Sequence, residues 1–417
     1  MKLFKSILLT FVTILIFSNF GESQNNTSTN NDNPTPQWVD MMKDINVNFY
    51  DVQKAADSYY ENHARGKGSG WKQYKRWEYL TKQRVYPSGN RINHAQVWNE
   101  ITKFNDEYPT HNRNSRNGWT TLGPTTSADV TGHWNPGIGR INVIALDPLD
   151  PNIIYIGSPS GGLWKTFDEG ANWMPMTDNQ PILGVSAIAI DYTNTDIIYI
   201  GTGDKDANDN YSIGVLKSTD GGTTWNTTGL DWTINQNRTI SKLLINPNDP
   251  SILFAGTTDG VYRTTDSGEN WTKQYSGNID DMEFKPGNPN VVYAITQKFF
   301  KSSDGGDTFT EISGMNTGSR AQIAVSEDNP NYVYYFSSNT GIYRSEESGE
   351  SFTFKSSQPT AGNQAWYDLA FTVSHDNAEE VHLGEFNTWK STNGATSWTQ
   401  TTDWTWGNPI GYTHCDI

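Results

Sequence analysis

Ser218-TDGGTT-Trp225 is the stretch that decides the fold. Five relatives recur in the chain: Thr166-FDEGAN-Trp173, Thr264-TDSGEN-Trp271, Ser302-SDGGDT-Phe309, Ser345-EESGES-Phe352 and Ser391-TNGATS-Trp398. Their starts lie 52, 46, 38, 43 and 46 residues apart in chain order. The shared pattern is a hydroxyl residue, Asp two positions on, Gly, and an aromatic at the eighth position. Glu347 and Asn393 stand where Asp is expected, and Phe309 and Phe352 replace Trp. An Asp in a tight turn bonds backbone N–H groups, a Gly takes a positive φ, and a terminal aromatic can pack on a neighbour. Asp168, Asp220, Asp266 and Asp304 are therefore read as structural, not as catalytic acids.

Apolar strands stand before each motif, such as Ile153-IYIG and Ile197-IYIG, each preceded by another, such as Ile141-NVIALDP and Ser186-AIAIDY. The turns within these pairs carry Asn, Asp and Pro, as hairpins require. Each unit reads as four strands, and four strands at a period near 45 make one blade of a β-propeller. The expected fold is all-β: a propeller of seven blades, six of them complete, behind a short α-helical extension. Trp119-TTLGP reads as an outermost strand, and Tyr412 to Ile417 as the start of another inner strand. The expectation is ring closure by the N-terminal strand and a chain truncated at its C-terminus, with Cys415 at the ragged end.

Upstream the pattern changes. Lys2 and Lys5 precede an apolar run from Leu8 to Phe17, too short to span a bilayer comfortably and followed by polar residues. This reads as a signal peptide over residues 1–23, then a flexible leader over 24–36. Residues 37–117 read as helical, with Val47, Tyr50, Val52, Ala55, Ala56 and Tyr59 recurring at three and four. Gly66-KGS-Gly70 breaks that helix. Trp71, Tyr74, Trp77, Tyr79 and Leu80 mark a second one, among Lys72, Lys75 and Arg76. The propeller is assigned to 118–417.

Composition removes several functions. Thirty basic residues against 46 acidic leave a net charge of −16, which argues against general nucleic-acid binding. The acidity lies downstream of residue 110, with 17 basic residues against 35 acidic. One Cys excludes a disulfide framework and a Cys-based zinc site. P-loop and HExxH motifs are absent.

The six-fold motif resembles the Asp-box (BNR) superfamily, which includes sialidases, two-propeller xyloglucan-cleaving glycosidases and sortilins. Gly70-WKQYKRWE-Tyr79, Gly139-RINVIALDP and Gly161-GLWKT also resemble large secreted, sortilin-like or glycosidase-like proteins of Bacteroidetes. The resemblance implies a secreted or cell-surface protein, delivered through a C-terminal sorting domain not present here. It places the active face opposite the motifs. A xyloglucanase Asp expected before a Gly-Gly in blade one is replaced by Pro159. A sialidase F/Y-R-I-P motif is missing, though Arg140-Ile141 partly resembles it.

On that face, Asp204, Asp206 and Asp209 sit within a long loop of blade two. Clustered carboxylates suit Ca²⁺; the same three are the available catalytic acids, and a solvated turn is the plain alternative. Arg140, Arg238 and Arg320 each open an inner strand, where guanidiniums could hold a carboxylate or pair with acidic neighbours. Trp366 and Trp404 offer flat faces for sugars, as do Trp232, Tyr367 and Trp406. The expected function is binding of carbohydrate or protein, with an extracellular polysaccharide, glycoprotein or peptide as partner. Two alternatives stay open, a glycoside hydrolase and a sortilin-like peptide receptor.

Overall fold

A computed structural model describes residues 36–92, 94–107, 139–207, 210–313, 320–359, 365, 368–404 and 410–412. The expected signal peptide, nearly all of the leader, the Trp119 strand and Cys415 lie outside these residues. The chain divides into two compact units, residues 1–101 and 102–417. No described helix is long and apolar enough to cross a membrane.

The first unit is helical. Helix α1 spans Gln37–Lys43, α2 Phe49–Glu61, α3 Trp71–Val85, and α4, which runs past the unit's boundary, His94–Glu107. Asn48 caps α2, its side chain accepting the Tyr50 N–H at 2.9 Å. The buried stripe of α2 is Phe49, Val52, Ala56 and Tyr60. That is a small rotation from the expected stripe: Tyr50 is exposed, and Tyr59 stacks on His63 at 3.7 Å. Helix α3 starts after Gly70 in the left-handed region and buries Tyr74 against Trp38, Ala56 and Tyr60. Its Tyr79 and Leu80 are exposed.

The second unit is a β-propeller with six four-stranded sheets among the described residues. In chain order the blades occupy residues 143–175, 185–231, 240–276, 281–311, 321–356 and 370–400. Within each, four antiparallel strands follow one another outward, and the first strands of successive blades touch. A further parallel pair joins Thr402–Asp403 to Gly411–Tyr412.

Five apolar clusters fill the seams between blades. Tyr293 and Phe299 of blade four pack with Ile323 and Tyr335 of blade five. Val292 and Ala294 face the other way, onto Phe254 and Val261 of blade three. Side chains alternate along a strand, so a central strand buried on both faces reads as a continuous apolar run. That is the physical content of Ile197-IYIG and Val291-VYAI.

The recurring motifs are tight turns between third and fourth strands. Their fourth and fifth residues both take positive φ, at 72° and 83° in Gly305 and Gly306 and at 56° in Glu169 and Ser348. The first-position hydroxyl accepts the fifth residue's N–H, as in Gly222 N to Ser218 Oγ at 2.9 Å. Asp220 Oδ1 accepts that hydroxyl and the Thr224 N–H, both at 2.8 Å. Asp168, Asp266 and Asp304 repeat this pattern. Asn393 keeps it through its amide oxygen. The Glu347 carboxylate, one methylene longer, accepts only from the Ser351 hydroxyl, at 3.1 Å, among the described residues.

Candidate functional site

Antiparallel order puts two kinds of connection at one end of each blade. The start of the first strand lies beside the loop joining strands two and three, and the motif turns lie at the opposite end. The blade-two loop after Thr202 leaves its own blade. Asp204 Oδ2 accepts from Arg140 Nη2 of blade one at 2.7 Å. Lys205 Nζ donates to the Asp280 carbonyl, at the start of blade four, at 3.4 Å. Asp206 Oδ1 accepts from Arg320 Nη2, at the start of blade five, at 2.6 Å. Three consecutive residues thus reach three other blades, and the loop crosses the mouth formed by the inner strands.

Local chemistry holds the loop in this path. Gly203 takes φ 100° with its N–H on the Gly184 carbonyl at 2.8 Å. Thr202 and Ser212 hydroxyls, both fully buried, are 2.9 Å apart. Asn210 donates to the Pro159 carbonyl at 2.7 Å and to Ser160 Oγ at 2.8 Å. The position where the family resemblance expects a catalytic Asp is therefore a foot for this loop.

Beside the loop lies a cavity of about 520 Å³ over blades three to five. Lys205, Asp206, Ser241, Asn278, Asp280 and Arg320 are among its lining residues. Two polar atoms here are buried with no partner among the described residues: Ser241 Oγ and Arg320 Nη1. Burial pushes the Asp280 carboxyl up to about 6, against the pull of Lys205 and of the Ala321 N–H. Burial also pulls the Lys205 ammonium down, and Asp206 partly restores it. Below the cavity, Lys242 of blade three sits 3.3 Å from Asp281 and 2.6 Å from Glu283 of blade four.

The sequence candidates are distributed differently from a single converging site. Asp204 has no exposed surface and also accepts from Asn142 at 3.0 Å. Each arginine has its own carboxylate, Arg140 with Asp204, Arg320 with Asp206, and Arg238 with Asp259 at 3.1 Å. The three guanidiniums do not close on one ligand. Arginine donors also hold oxygens of Asp204 and Asp206 that a Ca²⁺ ion would need. Asp209 lies outside the described residues. Among these no group of three His, Cys, Asp or Glu side chains is arranged to hold a metal.

Trp232 is buried between blades two and three, with the Arg238 guanidinium 5.2 Å from its ring centre. Trp404 is 45% exposed, near Phe386 after blade six, and does not line the cavity. Trp366, Tyr367 and Trp406 lie outside the described residues. Ser241, Asp280 and Lys205 are the residues that sequence reading missed. Lys205 lies between Asp204 and Asp206 in the blade-two loop, and Asp280, like Arg320, immediately precedes an inner strand.

No protein-family profile matches the chain. A xyloglucanase of Paenibacillus sp is 30% identical over 130 residues, covering 29% of this chain and 13% of that protein. A xyloglucanase of Acetivibrio thermocellus is 30% identical over 112 residues, covering 22% of this chain and 13% of that protein. The chain therefore matches only a small part of the length of these relatives. Among solved structures, the GH74 enzyme of Niastella koreensis superposes with a TM-score of 0.50 and 22% identity, over 63% of this chain and 45% of that one. What this chain shares with that structure is the β-propeller fold.

Proposed function

We propose that the protein is an exported propeller that binds carbohydrate at the inner-strand mouth, opposite the repeated turns. The observation carrying this reading is the polar cavity of about 520 Å³ at the mouth, whose lining includes Lys205, Asp206, Asn278, Asp280 and Arg320. A sugar ring brings several hydroxyls that both donate and accept, which suits a lining of mixed donors and acceptors. Likeness to xyloglucanases supports a glycan over a peptide. The loop crossing the mouth also stands against an extended peptide threaded through the central tunnel.

Calorimetric titration with xyloglucan oligosaccharides and a panel of other glycans tests the reading. Asn278→Ala, at an exposed lining residue, should weaken a bound glycan severalfold while the fold survives. Binding to short peptides but to no glycan would sink it.

One observation favours a second reading, glycoside hydrolysis. The Asp280 carboxyl, pushed up to about 6 in a cavity, has the character of a general acid. Under that reading Asp280→Asn abolishes release of reducing ends and leaves glycan affinity in place. Under the binding reading the parent protein releases none.

A further inference from the structure

The helical unit carries a surface of its own. Residues 62–91 hold eight basic side chains and one acidic, in a chain whose net charge is −16. The single acid, Glu78, is already engaged by Lys75 at 2.7 Å, Gln53 at 2.7 Å and Tyr74 at 3.1 Å. Arg91 is spent on the last carbonyls of α1, at 2.6 Å from that of Asp44 and 2.8 Å from that of Met42. Lys67, Lys72, Arg76, Lys82 and Arg84 have no carboxylate within ion-pairing distance among the described residues.

Helix periodicity gathers part of this charge on one ridge. Lys72, Arg76, Tyr79 and Gln83 recur at three and four, and all are exposed. Beside the ridge is a shallow cleft of about 340 Å³ that Trp71, Lys75 and Tyr79 help to line. The Trp71 ring lies 4.4 Å from the Arg65 guanidinium and 4.7 Å from Lys75 Nζ. Tyr79 is 68% exposed.

We infer that this ridge and cleft bind an anionic polysaccharide, a chain of uronate or sulfated sugars. Unpaired cations on the ridge face its acid groups, while the exposed Tyr79 ring gives a flat surface for its sugar rings. Two other polyanions fit less well. A bilayer-binding helix needs an apolar stripe, whereas the exposed face of α3 alternates Lys72, Gln73, Arg76 and Gln83 with only Tyr79 and Leu80. A nucleic-acid duplex brings a rigid, dense line of charge over a wide surface, where the chain's net charge opposes it. A flexible polysaccharide touching a few residues feels mainly the charges within a Debye length, about 8–10 Å at physiological salt. The inference does not rest on the propeller's ligand.

The full chain is titrated with polygalacturonate, with neutral xyloglucan, and with phosphatidylglycerol vesicles. The expected result is saturable binding of polygalacturonate that is lost at about 0.5 M NaCl, where screening is short-ranged. A Lys72→Gln/Arg76→Gln double variant should weaken it about fivefold or more, with an unchanged circular dichroism spectrum and unchanged xyloglucan response. Tyr79→Ala should weaken it without altering its salt dependence. Equal polygalacturonate affinity in parent and double variant would overturn the inference. So would capture by the vesicles without any polygalacturonate binding.

Discussion

Arg320 Nη2 and Asp206 Oδ1 lie 2.6 Å apart although 114 residues separate them in the chain. One residue starts the inner strand of blade five; the other belongs to the loop of blade two. Both side chains are largely buried, at 14% and 8% exposure. Removing one partner leaves a charge in a poorly solvated place. Arg320→Ala should cost about 3 kcal/mol in urea unfolding and make the loop around Asp206 cleavable by proteases. An Arg320→Met/Asp206→Asn double variant should recover part of that loss. Equal stability of the single variant and the parent would show that the bridge contributes nothing.

Asp280 sets a pH dependence with a defined sign. Its carboxyl titrates near 6 in the folded chain against an ordinary 3.8. A raised carboxyl favours the folded state while protonated. That stabilisation is present below the unfolded value and is lost as pH rises through about 6. Relative to Asp280→Asn, the parent should lose on the order of 2–3 kcal/mol between pH 4 and pH 7. Thermal unfolding of both proteins across that interval measures it; parallel curves would contradict the assignment.

Glu347 is the natural defect among the repeated turns. Its carboxylate misses the two bonds that Asp304 Oδ1 accepts, from the Ser302 hydroxyl at 2.7 Å and the Thr308 N–H at 3.0 Å. Glu347→Asp should restore them and raise stability by about 1 kcal/mol. Asp304→Ala should lower it by a similar or larger amount. Chemical denaturation midpoints decide both.

Gly306 occupies a left-handed position where a Cβ would come 2.2 Å from the Phe254 ring. Ala tolerates the positive φ in the sixth turn, where Ala395 sits at 65°. The clash is thus the larger cost at Gly306. Gly306→Ala should destabilise the seam between blades three and four by about 2–3 kcal/mol. Thermal melting of the variant provides the check.

The repeat was legible because both of its signals are local. A turn motif recurs every 38 to 52 residues, and strands buried on both faces leave apolar runs beside it. The mouth was not legible in the same way. Arg140, Arg238 and Arg320 could be placed at inner-strand starts, but their partners lie 64, 21 and 114 residues away, set by ring geometry. For the same reason Ser241, an ordinary strand residue in sequence, gives no sign of lining a cavity. The helical stripe was misread by a residue because Phe49–Tyr50 and Tyr59–Tyr60 are adjacent aromatic pairs. Periodicity alone does not say which member turns inward.

One local signal was on display and went unread. Each motif is preceded by a cation: Lys165, Lys217, Arg263, Lys301, Arg344 and Lys390. Lys165 donates to the Gly221 carbonyl at 3.2 Å and Lys217 to the Ser267 carbonyl at 3.0 Å, each in the following blade. Arg263 pairs with Asp307, Lys301 with Glu350, and Arg344 with Glu379, again one blade onward. These five links point from N-terminus to C-terminus, whereas Lys390 of the sixth blade pairs with Glu380 of its own blade at 2.7 Å. During synthesis, a blade's clasp therefore finds its acceptor only after its successor has emerged and folded. Protease protection of stalled nascent chains should rise in steps with that one-blade lag.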